Sequence, residues 1–453
     1  MRRFFICIAL VALSVSLPAQ NKISDKELAN VVWAMGQMYP EGFTLDINTL
    51  TQPKEGIMVS YAATQNSFDK KSIPGVIKHA KAHNNLVGGW RDPETGKYYF
   101  DSTRCFPEDS LAAALEFARA NGQHTVYVTS KQINVQSNYE QRDCRIIFDC
   151  DMGSSTDDLF ALMMLYRYME MKRCTLLGVI VDRMGAANAD AVDVMNNYYG
   201  YPQIPVGLER AGIRDPKVFI PYHNVAYARD EEARPLFKQT YRAPGEYPEA
   251  YKLYRKILSE QPDHSVSIAS VGFVTSLARL LQSVPDEYSP LNGVELVRAK
   301  VKDIYCMGGV FGEAVEPDYN FTQAIDFSLK FFELWPKELD MVFSPGEVGD
   351  PLFYPDPQVL ADINWTDCHP IKWVYEYLQC DTGQKMWDPL AVINAVEGDD
   401  LYTLSERGWV ELTPRGETIF TPDPKGNCRY QLPGDSVWSE TILKYIRLMA
   451  IQH

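Results

Sequence analysis

Four aspartates, Asp149, Asp151, Asp157 and Asp158, crowd into the single segment RIIFDCDMGSSTDD. Like charges at that density repel one another unless a counterion neutralises them. Carboxylate oxygens suit a hard cation, Ca²⁺ or Mg²⁺. A plainer role is open to two of them, because Asp157 and Asp158 precede an apolar run and would cap a helix and favour its dipole. That role leaves Asp149 and Asp151 without a purpose, so the cation is the better account. Zinc is not expected, since the chain has no CxxC and its seven histidines are scattered.

The elements that must hold these residues can be read on either side of them. RIIFD (145–149) is a short apolar strand, CDMGSSTDD a polar loop, and LFALMMLYRYMEM a helix. TLLGVIV (175–181) is a second strand, and NADAVDVMNNYYG a second helix ended by Gly200. Strand, helix, strand, helix is the signature of a parallel sheet with crossover helices. Ligands bind such sheets beyond the carboxyl ends of the strands, where the acidic loop lies. The fold class expected is therefore α/β, an open, mostly parallel Rossmann-like sheet. Its domain spans 142–453 and is preceded by a small α+β domain over 20–141.

In that first region GIMVSY, KYYFDS and HTVYVTS read as strands. IPGVIKHAKAHN and EDSLAAALEFARANG read as helices, and GGWRDPETGKYYF as a hairpin whose aromatics belong to a core. No catalytic constellation stands out there. The polar stretch VQSNYEQRDC, 135–144, is the expected junction.

Arg2 and Arg3 precede an apolar run, Phe4 to Leu17, followed by Pro18 and Ala19. This has the parts of a secretory signal peptide with cleavage after Ala19, so residues 1–19 are expected to be removed and the protein exported, periplasmic or secreted. The run is shorter than the roughly 20 residues that span a bilayer, and no membrane association is expected after cleavage. Of the cysteines beyond Cys7, Cys150, Cys174 and Cys306 sit in strand-like contexts that favour buried free thiols, and Cys368 with Cys380 is the pair expected to form a disulfide. The 453 residues are 46% hydrophobic and 23% charged, with 44 basic against 59 acidic side chains and a net charge of −15. That composition describes an ordinary globular protein, and its charge disfavours a nucleic-acid partner.

The segment IIFDCDMGSSTDDLFAL resembles the N-terminal signature of the inosine/uridine-preferring nucleoside hydrolase family, DxDPGxDDAxA. Here the loop is two residues longer, as in relatives that read DTDMGNDVDD. Three further segments resemble family motifs in the right order: SVGFVTSLARLL (270–281) the GPLTNLA segment, DIYCMGGVFGEAVEPDYNF (303–321) the Gly-Gly turn and AEFN motif, and MWDPLAVINAV (386–396) the HDPLAVA motif. The likeness runs from about residue 145 to 435.

The resemblance implies a Ca²⁺-dependent N-ribohydrolase acting on a nucleoside or another small ribosyl compound, in an architecture compatible with a homo-oligomer. By matched position Asp151, Asp158, Asp388 and the backbone carbonyl of Thr275 would hold the metal. Asp157, Asp318 and Asn320 would bind the ribose hydroxyls, and Asp151 would also be the general base. These roles suit an oxocarbenium-like transition state, which needs negative charge near the ring and a positioned water. Asp149 reads as structural, hydrogen-bonding loop amides, and Asp388 also reads as a helix N-cap before Pro389, the favoured first helical residue.

Two departures stand out. Trp387 replaces the family histidine that protonates the leaving base in some members. Trp cannot donate such a proton but can stack on a base, worth about 1–3 kcal/mol by analogy with nucleobase stacking. The family asparagine after the second strand has no clear counterpart among Asp182, Arg183 and Asn188. His223 lies where the family has a mobile loop and is a candidate replacement acid, though a lone loop histidine is more often simply solvated. Two other functions fit parts of the pattern: a noncatalytic ribosyl-binding or sensor protein on the same fold, and a haloacid dehalogenase-type phosphatase, whose DxDxT motif FDCDMGS mimics. The second leaves Asp157, Asp158 and MWDPLA unexplained.

Overall fold

The computed structural model describes residues 23–451 apart from 41, 93–94, 124, 130–132, 137–143, 154, 214–220, 241–245, 313–314 and 379–382. The chain divides into two compact units, 1–138 and 139–453. The expected signal segment, much of the expected junction, and Cys380 lie outside the described residues.

The smaller unit contains α1 (Asp25–Met38), β1 (Phe43–Asp46), β2 (Ile57–Ser60), α2 (Asp69–Ala82), β3 (Leu86–Arg91), β4 (Tyr98–Phe106), α3 (Leu111–Ala120), β5 (Thr125–Val128) and β6 (Ile133–Gln136). The strands form one antiparallel sheet in the order β1-β3-β4-β2-β5-β6. Leu28 and Val32 of α1 and Ile73 and Ile77 of α2 pack with Val87 and Phe100 of the sheet. The β3–β4 hairpin is the one expected, pairing Arg91 with Tyr98. Its aromatics divide: Phe100 is buried, whereas Trp90 is exposed and stacks on Tyr99. Helix α1 was not anticipated, although Ser24 and Glu27 form a reciprocal capping box at its start.

The larger unit opens with β7 (Cys144–Cys150), α4 (Asp157–Glu170), β8 (Cys174–Val181), α5 (Ala186–Tyr198) and β9 (Val206–Leu208). It continues with α6 (Ala250–Ser259), β10 (Val266–Ser270), α7 (Thr275–Leu281), α8 (Gly293–Lys300), β11 (Val301–Met307), α9 (Tyr319–Gln323), α10 (Ile325–Leu334) and β12 (Asp340–Ser344). After α11 (Gly346–Gly349), β13 (Phe353–Tyr354), α12 (Asp356–Asp362), α13 (Pro370–Leu378) and β14 (Gln384–Lys385) come α14 (Asp388–Glu397), β15 (Gly408–Leu412), β16 (Thr418–Pro422), β17 (Cys428–Tyr430) and α15 (Ser436–Ala450).

Its main sheet is nine-stranded in the order β16-β15-β17-β12-β11-β10-β7-β8-β9. Every pairing from β17 to β9 is parallel, and β15 and β16 add an antiparallel edge. This is the open, mostly parallel sheet that the sequence implies. Strand β7 shows why its apolar run is unbroken. Ile146 and Phe148 pack in the layer of α4 and α14, while Ile147 packs in the layer of α6 and α7. A strand covered on both faces needs apolar residues at consecutive positions. Helix α4 is likewise enclosed, buried from Asp157 through Tyr168.

The chain leaves β7 towards β8 and β9 on one side and returns to β10 on the other. The crevice beyond the carboxyl ends of β7 and β10 is thus the topological switch point of the sheet. No helix among the described residues is long and apolar enough to cross a membrane.

Phe148 lies at the centre of this arrangement, fully buried. Phe148→Ala should destabilise the larger unit by about 3–5 kcal/mol. The urea midpoint should drop with little change in m, and a cost under about 1 kcal/mol would deny β7 its central place in the core.

Candidate active site

The acidic loop folds back onto its own helix. The backbone amides of Met152 and Gly153 each donate to the Asp158 carboxylate at 3.2 Å. Gly153 has no room for a side chain, because a Cβ there would lie 2.2 Å from Asp151 Oδ2 and 2.8 Å from an Arg183 nitrogen. Asp157, in the first turn of α4, accepts the Ser155 hydroxyl. It also accepts the Asp388 amide at 3.2 Å, which ties the start of α4 to the start of α14. The carboxylate oxygens of Asp157, Asp158 and Asp388 all come within 4.8 Å of one another, and all three residues are buried.

Asp151, expected as both metal ligand and base, is hydrogen-bonded to Asp158 and directs Oδ2 to Arg183 at 2.5 Å. Arg183 in turn lies over the Phe273 ring, 4.8 Å from its centroid. Thr275 opens α7 and is buried, with its hydroxyl lacking a partner. It does not line the cavity described below. Asp151 lines the cavity described below, paired with an arginine that the sequence does not single out. Arg183 could be named only as one of several residues after the second strand, since an ion pair across 32 residues has no local signature.

A second carboxyl pair supports the first from beneath. Asp149 accepts the Tyr254 hydroxyl at 2.6 Å, and Asp182 accepts the Phe273 amide at 2.7 Å. Asp149 and Asp182 each keep one carboxyl oxygen without a hydrogen-bond partner among the described residues. Burial pushes the Asp149 carboxyl up to about 7, and Asp182 rises well above the ordinary range through burial and the charge of Asp149. Asp149 is thus held by the Tyr254 hydroxyl and not by loop amides, and Asp388 is the first residue of α14, with Trp387 rather than Asp388 at the N-cap. Through the Phe273 amide Asp182 joins the end of β8 to the turn that follows β10. Asn188 is fully buried, with neither amide atom partnered.

Two of the residues expected to bind ribose, Asp318 and Asn320, come from α9 and its N-cap. Asp318 caps α9, accepting the Phe321 amide at 3.0 Å. Asn320 donates its amide to the carbonyls of Val271 at 3.1 Å and Met307 at 3.2 Å, bridging the ends of β10 and β11. Trp387 donates its indole N–H to Asp350 Oδ1 at 3.3 Å, and Lys385 binds that same oxygen at 2.6 Å while lying over the indole ring. These groups surround a cavity of about 480 Å³. Asp151, Asp157, Asp388, Asp318 and Asn320 supply its polar lining, and Val271, Met307, Val310, Pro317, Tyr319 and Trp387 its apolar one. Sequence reasoning missed Asp350, Gln384 and Tyr319. Tyr319 stood in plain view inside the DYN motif, whereas Asp350 reaches the site only through tertiary packing. The side chain of His223 lies outside those described.

The electrostatics favour a cation. Burial, and then the neighbouring carboxylates, push Asp158 and Asp388 well above the ordinary carboxyl range, and burial pushes Asp157 to about 6. In Asp151 burial raises the pKa while Arg183 opposes it. One guanidinium cannot neutralise so many carboxylates, and the donors present are the all-oxygen set that a hard divalent cation takes.

Residues 146–432 match the family model described as inosine-uridine preferring nucleoside hydrolase. This chain belongs to that family. Solved structures share the fold. The inosine-uridine preferring nucleoside hydrolase from Bacillus anthracis is 16% identical with a TM-score of 0.52, covering 68% of this chain and 99% of its own. An inosine-guanosine nucleoside hydrolase is 16% identical over the same shares, with a TM-score of 0.51. The purine-preferring ribonucleoside hydrolase from Gardnerella vaginalis is 17% identical, also over 68% and 99%, with a TM-score of 0.50. No curated protein matches the chain. As a nucleoside hydrolase family member the protein is an N-ribohydrolase, an enzyme that cleaves N-glycosidic bonds of nucleosides, and its buried aspartate cluster is the place where a metal would sit.

A raised carboxyl pKa means that the folded chain holds protons which the unfolded chain, titrating near 4, has released. For Asp157 and Asp318, both pushed to about 6 by burial, the stability contribution is therefore fullest below about pH 4 and is lost as pH rises through about 6. In a chelator the melting temperature should accordingly fall between about pH 5 and 7.5. A divalent cation should raise it more at the higher pH. Equal melting curves with and without cation at about pH 7.5 would count against the cation site.

Proposed function

We propose that this enzyme hydrolyses the N-glycosidic bond of ribonucleosides, or of a closely related ribosyl compound, in a Ca²⁺-dependent manner, releasing the base and ribose. One observation carries the reading: buried carboxylates of Asp151, Asp157 and Asp388 converge on a cavity that also holds an aromatic ring, Trp387. Asp158, Asp388, Asp151 and the Thr275 carbonyl are assigned to the cation. A bound Ca²⁺ would neutralise these carboxylates and make a nearby water more acidic.

Asp157, Asp318 and Asn320 are assigned to the ribose hydroxyls. Two of the three are carboxylates, able to accept from hydroxyls and to strengthen those bonds as positive charge develops on the ring. Asp151 is assigned as the general base that takes a proton from the attacking water. Its ion pair with Arg183 fixes the orientation of the carboxylate before substrate arrives. Trp387 offers a flat ring to the base, its plane held by the bond to Asp350 and by close packing of Gly349, where a Cβ would lie 2.5 Å from the indole. The basic N-terminus and apolar run of residues 2–17 support export, so the substrates proposed are extracytoplasmic nucleosides.

Ribose release from a panel of purine and pyrimidine nucleosides, with Ca²⁺ or with a chelator, tests the assignment. Calcium-dependent release is expected. Asp151→Ala should remove at least about 10²–10⁴-fold of turnover, and Asp158→Ala or Asp388→Ala should abolish both turnover and calorimetric Ca²⁺ binding. Full activity in Asp151→Ala would remove this site from the chemistry. Calcium binding with no release from any nucleoside would return weight to a ribosyl-binding protein. Trp387→Ala should raise KM for nucleosides roughly 5- to 100-fold if the ring stacks on the base.

A further inference from the structure

We propose that Tyr319 is the proton donor to the departing base, the task that Trp387 cannot perform. The inference rests on the hydrolase reading above and adds to it the residue that activates the leaving group.

The argument is one of elimination within the cavity. Cleaving the bond between C1′ and a base nitrogen leaves an electron pair on that nitrogen, and departure is eased if an acid protonates the base as the bond breaks. Among the described residues lining the cavity, and apart from the carboxyls assigned to the cation, the ribose and the attacking water, the side chains that carry an N–H or O–H are Ser155, Tyr319, Asn320, Gln384 and Trp387. Ser155 spends its hydroxyl on Asp157. Asn320 spends its amide on the Val271 and Met307 carbonyls, and Trp387 spends its indole N–H on Asp350. The amides of Asn320 and Gln384 and the indole are in any case not proton donors in the acid–base sense. Asp350, the carboxylate nearest Trp387, is occupied by that indole and by Lys385.

Tyr319 remains. It is the first residue of α9, between Asp318 and Asn320, and is 55% exposed. Its ring is steadied by an edge-to-face contact with Phe273, centroids 6.2 Å apart, and its hydroxyl makes no hydrogen bond among the described residues. A phenol is chemically suited, since it is a recognised general acid and keeps its proton until a strongly basic nitrogen develops.

The step balances. The C1′–N electron pair passes to the base nitrogen while the Tyr319 O–H proton moves to the base. Water oxygen bonds to C1′, one of its protons passes to Asp151, and the other stays on the new ribose hydroxyl. The enzyme is left with a phenolate and a protonated carboxyl, which a proton transfer through solvent resets.

The test compares the full chain with Tyr319→Phe on two kinds of riboside: inosine and uridine, whose bases leave poorly unless protonated, and p-nitrophenyl β-D-ribofuranoside, whose nitrophenolate leaves unaided. Tyr319→Phe should lower kcat on the nucleosides about 10²- to 10⁴-fold while altering p-nitrophenyl riboside turnover less than about 3-fold, with an unchanged melting temperature. Tyr319→His, which restores a proton donor, should recover part of the nucleoside rate. Equal losses on both kinds of riboside, or none on either, would overturn the assignment of Tyr319 and leave the hydrolase reading standing. A wild-type chain that releases ribose from neither would overturn that reading, and this one with it.

Discussion

Buried negative charge at the switch point of the sheet is the constraint around which the larger unit is organised. Asp149, Asp151, Asp157, Asp158, Asp182 and Asp388 all lie inside the protein, where each unneutralised carboxylate is costly. The chain meets that cost in several ways. Backbone amides of Met152, Gly153 and the Asp388 residue itself point at carboxylates, Arg183 holds Asp151, and the Tyr254 hydroxyl and Phe273 amide donate to Asp149 and Asp182. These amides bring no net positive charge to Asp157, Asp158 and Asp388, the part of the cluster where an all-oxygen cation site fits.

The same contacts join distant pieces of chain. The Asp388 amide donating to Asp157 links α14 to α4. Asp182 links the end of β8 to the turn after β10 through the Phe273 amide, and Asn320 links α9 to the ends of β10 and β11. Each polar bond that builds the site therefore also sets the relative height of neighbouring strand ends. Structural and catalytic roles are not separable for such residues, which is why the differential response of two leaving groups is more informative than loss of activity alone.

Trp387 and Arg183 show how a family site is altered without losing its acidic floor. Replacing an imidazole by an indole exchanges a proton donor for a stacking surface, and the indole is held in place by Asp350, itself bound to Lys385. Arg183 brings a positive charge to Asp151, the carboxylate proposed as base. Its guanidinium, lying over Phe273, is positioned by a residue of the turn that leads into α7.

Periodicity and residue type alone determined the α/β class, the order of β7, α4, β8 and α5, and the acidic loop at the strand ends. These are local consequences of burial on two faces, of helix spacing and of charge density. Motif likeness added Asp318, Asn320, Thr275 and Asp388, with Asp157 and Asp158 already marked by the loop. Helix α1 was legible too, in the Ser24 and Glu27 capping box, but its short apolar pattern concealed it. Only the tertiary structure decided that Asp151 pairs with Arg183, that Asp182 lies beneath the loop against Asp149, and that Asp350 and Tyr319 share a cavity with Trp387. Those relations depend on side-chain directions across sheet and helix ends that are far apart in the chain. No local pattern encodes them, because they follow from the register of β7, β8, β10 and β11 and from the packing of α4 against α14.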